Sequence, residues 1–296
     1  MSIHKVELLR KPDWLKIKIP SGENYVKVKQ TLRATNLHTV CEEASCPNVA
    51  ECWGAGTATI MIMGDTCTRG CRFCDVTSGK PSPLDSKEPE RVAKTIKEWN
   101  LRYVVITSVC RDDLDDGGSS HFAKTINFVK TLCPHTVVEP LIPDFNGDFD
   151  SIKKIIDSKP EVISHNVETV QRLTTTIRDP KASYQKSLFV LKKIKEINPR
   201  IFTKSSIMLG HGETEDEVIQ TALDLKSVGV DIITAGQYLQ PSLKHLPTKQ
   251  FISPEKFAHY KKIFQQMGFK HVEAGPFVRS SYRAADFIEK IDRLNK

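Results

Sequence analysis

The chain has 296 residues, 39% of them apolar and 27% charged, enough for one large α/β domain or two small ones and too apolar for disorder. No apolar run approaches the roughly 20 residues that span a bilayer, and Glu7 and Asp13 sit among the early lysines, unlike a signal or transit peptide, so a cytoplasmic chain is expected. The net charge of +7 gathers near the start, where residues 1–40 hold Lys5, Arg10, Lys11, Lys16, Lys18, Lys27, Lys29 and Arg33 against Glu7, Asp13 and Glu23.

A basic arm of this kind suits an acidic partner. With no zinc-finger, RRM or helix-turn-helix pattern present, an acidic protein is expected rather than nucleic acid.

In chain order, residues 1–56 precede the first strand and read as an N-terminal extension. β-rich runs follow at 58–63, 103–107, 136–140, 162–166, 201–205 and 231–235. Helix-length segments alternate with them at 88–99, 119–132, 149–157, 183–197, 214–228 and 254–267. Thr214 with Glu217 forms a capping box, and Ser253-Pro254 reads as an N-cap followed by proline at the first helical position. Six βα units in a row predict a parallel sheet, either doubly wound or curled into a partial barrel, over 57–267. Its working face lies at the C-terminal ends of the strands. Residues 268–296 read as a C-terminal extension ending in a short helical pattern.

Eight cysteines in a reducing compartment do not suggest disulfides. Six fall into two triplets: Cys41, Cys46 and Cys52 in CEEASCPNVAEC, and Cys67, Cys71 and Cys74 in CTRGCRFC. Cys110 and Cys133 stand apart and read as small buried hydrophobes. Three thiolates on one loop suit three irons of a 4Fe–4S cluster and leave the fourth open to a ligand. Structural zinc sites usually pair two separated cysteine elements and close all four positions, so zinc fits less well.

The C-x₃-C-x-aromatic-C pattern, with Phe73 as the aromatic, resembles that of the radical S-adenosylmethionine enzymes. That resemblance implies an α/β partial (β/α)₆ TIM-like barrel. It also implies a cluster on Cys67, Cys71 and Cys74 whose open iron chelates S-adenosylmethionine for one-electron reduction and hydrogen abstraction. The upstream triplet, with RKPDWLK (10–16), RDDLDDGG (111–118), PDFNGD (143–148), HNVETV (165–170), GQYLQPS (236–242), HLP (245–247) and GPFVRSSY (275–282), resembles the lipoyl synthase family along nearly the whole chain.

The family resemblance implies insertion of two sulfur atoms at C6 and C8 of an octanoyl chain held on a lysine of a lipoyl carrier domain, such as an E2 subunit or a glycine-cleavage H protein. It implies a second, sulfur-donating 4Fe–4S cluster on Cys41, Cys46, Cys52 and Ser281, the serine preceding Tyr282. Serine oxygen is a harder, less common iron ligand than thiolate, which would suit a cluster meant to be dismantled. The competing role for Ser280 and Ser281 is to cap a helix near Tyr282. An electron donor such as ferredoxin or flavodoxin is implied, and a monomer is expected.

Polar residues at or just after strand ends, Thr107, Ser108, Asn166, Glu168, Lys204 and Gln237, are expected to contact the cofactor alongside Phe73. Arg178 and Arg279 are candidates for carboxylates of cofactor or carrier, with ordinary surface ion pairs as the alternative. RDDLDDGG lacks the spacing of a calcium loop and is expected to position cofactor or carrier. GHGET (210–214) reads as a turn entering a helix, and His165, His211 and His245 read as structural. Many family members carry an acidic residue at the position of Cys110, and this chain departs there. The rivals are another two-cluster radical enzyme, disfavoured by the triplet ahead of the barrel and by RSSY, and a non-catalytic iron–sulfur or zinc protein.

Overall fold

The computed structural model describes residues 10–17, 21–54, 58–282 and 284–287. After a single 3-10 turn at Asp13–Leu15 come α1 (Glu23–Thr35), β1 (His38–Thr39), α2 (Val40–Glu43) and α3 (Val49–Gly54). β2 (Ile60–Ile62) leads into a loop containing β3 (Thr66–Cys67) and β4 (Thr77–Ser78). The alternating part continues with α4 (Glu88–Glu98), β5 (Tyr103–Ser108), α5 (Ser119–Leu132), β6 (Val137–Leu141), α6 (Phe149–Asp157) and β7 (Val162–Ser164). It ends with α7 (Thr174–Ile177), α8 (Tyr184–Ile197), β8 (Phe202–Leu209), α9 (Glu215–Ser227), β9 (Ile232–Gln237), α10 (Pro254–Gln266) and β10 (His271–Gly275).

The main sheet has eight strands in the order β1-β2-β5-β6-β7-β8-β9-β10. Among the described residues only the β1–β2 pair of this sheet is antiparallel. Consecutive parallel neighbours joined by helices are the arrangement expected of a βα array. β10 is a seventh parallel strand, pairing with β9 from His271↔Ile232 to Gly275↔Gly236, inside what the sequence suggests is a C-terminal extension.

The helices form because their apolar residues recur on one face. In α6, Ile152, Ile155 and Ile156 are buried at helical spacing, and Asp148 caps the start by accepting from the Ser151 amide at 2.7 Å. Each isoleucine contributes roughly 1.5–3 kcal/mol by leaving water. The two caps expected from sequence also form: Thr214 and Glu217 exchange bonds at 3.3 and 2.8 Å, and Ser253 accepts from the Lys256 amide at 3.2 Å.

Within β5 the side chains alternate as a pleated strand requires. Val104 and Ile106 join the core under the helices, while Tyr103 and Val105 face the other way, with Val162, Phe202 and Ile232. That inner cluster is closed by Phe287 from the 3-10 turn Ala284–Phe287, its ring edge-on to Phe202 at 5.2 Å. Phe287 therefore packs on the sheet face turned away from the helices.

Candidate active site

A cavity of about 540 Å³ lies at the C-terminal ends of the strands. All six cysteines of the two triplets line it, with Cys110 and Ser281. The upstream triplet sits on α2, α3 and the turn between them, and the downstream triplet sits on the loop after β2. Ser45 donates to Asp75 at 2.5 Å, joining the two cysteine segments. Asn48 donates to the Phe277 carbonyl at 2.6 Å and Tyr282 to Glu51 at 3.0 Å, so the segment carrying Ser281 meets the upstream triplet. Cys52 and Ser281 are 229 positions apart in sequence and share one cavity wall.

None of the eight cysteines is joined in a disulfide. Burial pushes the Cys41 thiol up to about 11 and those of Cys52 and Cys74 up to about 12. Cys46 and Cys71 move up for the same reason. Cys67 moves down, because Cys110 hydrogen-bonds to its sulfur, and Cys110 moves up as the donor of that bond. Metal loading must displace the protons that burial retains. Among the described residues no three His, Cys, Asp or Glu side chains close on a single metal ion. Thiols spread over a cavity wall suit a polynuclear cluster, whose irons present separate corners.

The polar residues expected to contact a cofactor divide into two groups. Ser108, Asn166 and Arg178 line the cavity with Oγ, Oδ1 and Nε buried and without a protein partner. Buried polar atoms without partners are uncommon and fit a polar ligand. Glu168 joins them, with its carboxyl pushed up by burial, a positive φ of 66° and a 3.1 Å bond from Asn166. Phe73 and Thr107 also line the cavity, though the Thr107 hydroxyl is spent on the Leu141 carbonyl at 3.1 Å.

Gln237 reaches the wall, but its amide nitrogen donates to Leu209, Tyr238 and Gln250 carbonyls and its oxygen accepts from Ile252. It is a strut. Lys204 does not line the cavity. Its ammonium lies 3.0 Å from Glu139, which also accepts from Tyr103 and from Ser164. The expectation fails because β8 runs on to Leu209, four residues beyond the expected strand end. Lys204 is therefore in the first half of the strand, and Ser206 and Met208 reach the cavity instead.

The three histidines make contacts within the fold. His165 bridges the Ile142 carbonyl and Ser187, both at 2.9 Å, His211 stacks on Tyr238 at 4.0 Å, and His245 bonds the Cys74 carbonyl at 3.0 Å. In GHGET, Glu213 accepts from the Gly210 and His211 amides, so a carboxylate fills the turn. Sequence reasoning missed the partners that fix the cysteine loop, among them Arg69 with Asp112 and Asp144, and Asp179, which accepts from Gly70 N at 2.8 Å. No spacing rule flags such contacts, because they are far apart in the chain.

A parallel βα sheet with a three-cysteine loop and a second triplet lining the same cavity defines a radical S-adenosylmethionine enzyme. A profile described as Radical SAM superfamily matches residues 61–225, and one described as N-terminal domain of lipoyl synthase of Radical_SAM family matches residues 1–46. The chain belongs to the lipoyl synthase family. It is 53% identical to the lipoyl synthase of Myxococcus xanthus, over 96% of this chain and 95% of that protein. It is 53% identical to the mitochondrial lipoyl synthase of Bos taurus, over 97% of this chain and 78% of that protein. Against the apicoplast lipoyl synthase of Plasmodium yoelii yoelii it is 54% identical over 95% of this chain, which spans 56% of that protein.

Among solved structures, methylornithine synthase shares the fold with a TM-score of 0.55 and 13% identity, over 79% of this chain and 81% of that one. Streptococcus suis SuiB bound to S-adenosylmethionine gives 0.57 and 10%, over 86% and 56%.

Proposed function

We propose that this enzyme inserts two sulfur atoms, at C6 and C8, into an octanoyl chain carried on a lysine of a lipoyl carrier domain. The observation that carries this reading is the meeting of both cysteine triplets and Ser281 on one cavity. Cys67, Cys71 and Cys74 would hold one 4Fe–4S cluster, and Cys41, Cys46, Cys52 and Ser281 the other. Together with S-adenosylmethionine these groups supply hydrogen abstraction from unactivated carbon and the sulfur that replaces the hydrogen.

The chain's own residues supply the binding groups. Ser108, Asn166, Glu168 and Arg178 offer polar groups to the cofactor on the wall next to the downstream triplet. The shared cavity brings an acyl chain within reach of both cysteine sets. Residues 277–282 close the side between them through Asn48 and Glu51.

The partner is an octanoylated lipoyl carrier domain, of E2 or H-protein type, with ferredoxin or flavodoxin as electron donor. We read the chain as a monomer of the cytoplasm; among the described residues no helix is long and apolar enough to cross a membrane. Exposed Lys11 lines the cavity, which supports the approach of an acidic carrier there. Lys5 and Lys18 of the basic arm lie outside the described residues. As a three-part division, 1–56 carries the upstream triplet, 57–267 the βα unit and 268–296 the RSSY segment.

The test is anaerobic incubation of the iron-loaded protein with reductant, S-adenosylmethionine and an octanoyl-lysine peptide. Mass gains of one and then two sulfurs are expected. An unmodified peptide beside intact iron and cleaved cofactor would overturn the reading, and tightly bound zinc in place of iron would end it.

A further inference from the structure

RDDLDDGG and PDFNGD meet in an arrangement that the reaction just described leaves unused. Arg69 lies between Cys67 and Cys71 in sequence and is 5% exposed. Its Nε and Nη2 donate to the two oxygens of Asp112 at 2.9 and 2.8 Å. Its Nη1 and Nη2 donate to the two oxygens of Asp144 at 2.9 and 2.7 Å, and Nη2 reaches Asn146 at 3.1 Å. One guanidinium thus forks onto two carboxylates, the geometry that distinguishes arginine from lysine. Lys181 and Lys186 lie 3.5 Å from Asp112 and 3.9 Å from Asp144, offsetting the surplus negative charge.

The clamp ties together the loops that follow β2, β5 and β6. Its position relative to one sulfur is specific. The Arg69 and Cys110 amides both donate to Cys67 Sγ, at 3.4 and 3.3 Å. Thr68 between them bonds the Cys110 carbonyl through its own amide and hydroxyl, and its hydroxyl also bonds Asp112 at 3.0 Å. Asp112, two residues after Cys110, and Arg69 itself therefore fix both donors.

Buried ion pairs are poor devices for stability, since desolvation offsets their attraction. Ordering a loop in advance is a better account of this one, because three thiols on a free loop would lose much conformational entropy on meeting a rigid cluster.

We propose that Arg69 is a positioning residue, whose double carboxylate clamp sets Cys67 and its two amide donors before a cluster is present. This rests on the reading of Cys67, Cys71 and Cys74 as cluster ligands. The test compares the full-length wild type with Arg69→Lys, with the triple variant Arg69→Met/Asp112→Asn/Asp144→Asn, and with Cys71→Ala as the ligand control. The triple variant removes the buried charges together and leaves no carboxylate stranded.

Iron per chain, far-UV circular dichroism and the reduced-state EPR spectrum with and without S-adenosylmethionine are read for each. The expected result is loss of about half of the bound iron in Cys71→Ala and the triple variant, with wild-type circular dichroism and no cofactor-induced EPR change. Arg69→Lys, which cannot fork onto both carboxylates, should fall between these and the wild type. Full iron and a wild-type cofactor-induced EPR change in the triple variant, while Cys71→Ala loses iron, would overturn the clamp's role even if melting temperature fell. Full iron in Cys71→Ala would instead overturn the ligand reading, and the clamp proposal with it.

Discussion

The carbonyl oxygen of Val278 rests so close to Gly236 that a methyl group at position 236 would lie 1.9 Å from it. Glycine is required here by contact with a backbone atom that cannot rotate aside. The contact seats the segment carrying Arg279, Ser280 and Ser281 against the end of β9.

Gly236→Ala should therefore push that segment off the strand. A stability loss of about 1–3 kcal/mol is expected from the forced shift. Iron counting should show the Ser281 side of the cavity affected first, with the iron attributed to Cys67, Cys71 and Cys74 kept. Unchanged melting and unchanged iron would show that the segment is not held at this point.

Replacing Ser281 by Cys exchanges a hard oxygen for a thiolate. If the serine is the releasable corner of the sulfur-donating cluster, iron content should stay and product formation should fall about 10- to 100-fold. Mass spectrometry of the octanoyl peptide, with iron measured on the same sample, checks this. Wild-type turnover in Ser281→Cys would remove the argument for a weak corner.

Gln237→Leu separates a strut from a cofactor contact. The Gln250 carbonyl and the Ile252 amide would lose their partner, each costing about 1–3 kcal/mol when left buried and unpaired. The Leu209 and Tyr238 carbonyls keep bonds from the Tyr238 amide and the Thr248 hydroxyl. A drop in the urea midpoint is expected, with cofactor affinity unchanged in the protein that remains folded. A weaker affinity at unchanged stability would return Gln237 to the cofactor site.

His211 makes part of the acid response predictable. Burial lowers its pKa to about 4 from 6.5, and its Nε2 has no protein partner. Between pH 6.5 and 4 the unfolded chain binds this proton and the folded chain does not. Stability is thus complete above pH 6.5 and is lost as pH falls toward 4, by up to about 1.4 kcal/mol per pH unit for the one proton. His211→Phe keeps a ring against Tyr238 and removes the titration, so its unfolding free energy should fall less steeply across that window. Parallel slopes for the two proteins would sink this assignment. His165, also lowered to about 4, retains its own share in both.

The parallel strands were legible because burial on both faces leaves short apolar runs, as in Tyr103–Ser108. β10 was not, since an edge strand with polar His271 and Glu273 around Val272 carries no such run. Lys204 and Gln237 show a different limit. Alternation says which face a strand residue takes, but not how far along the strand it stands or whether its polar atoms are already used. The two triplets were legible by residue type and spacing, whereas Arg69 with Asp112 and Asp144 draws on three loops and has no local signature.

Asn48 bonding Phe277, and Tyr282 bonding Glu51, also bear on the order of events during synthesis. The loop of Cys67, Cys71 and Cys74 bonds Asp179 and, farther along the chain, His245 and Leu246. The wall shared by Cys41, Cys46, Cys52 and Ser281 does not exist until residues 277–282 have left the ribosome. One cysteine set can be shaped once residue 246 has emerged, and the other waits for residues 277–282.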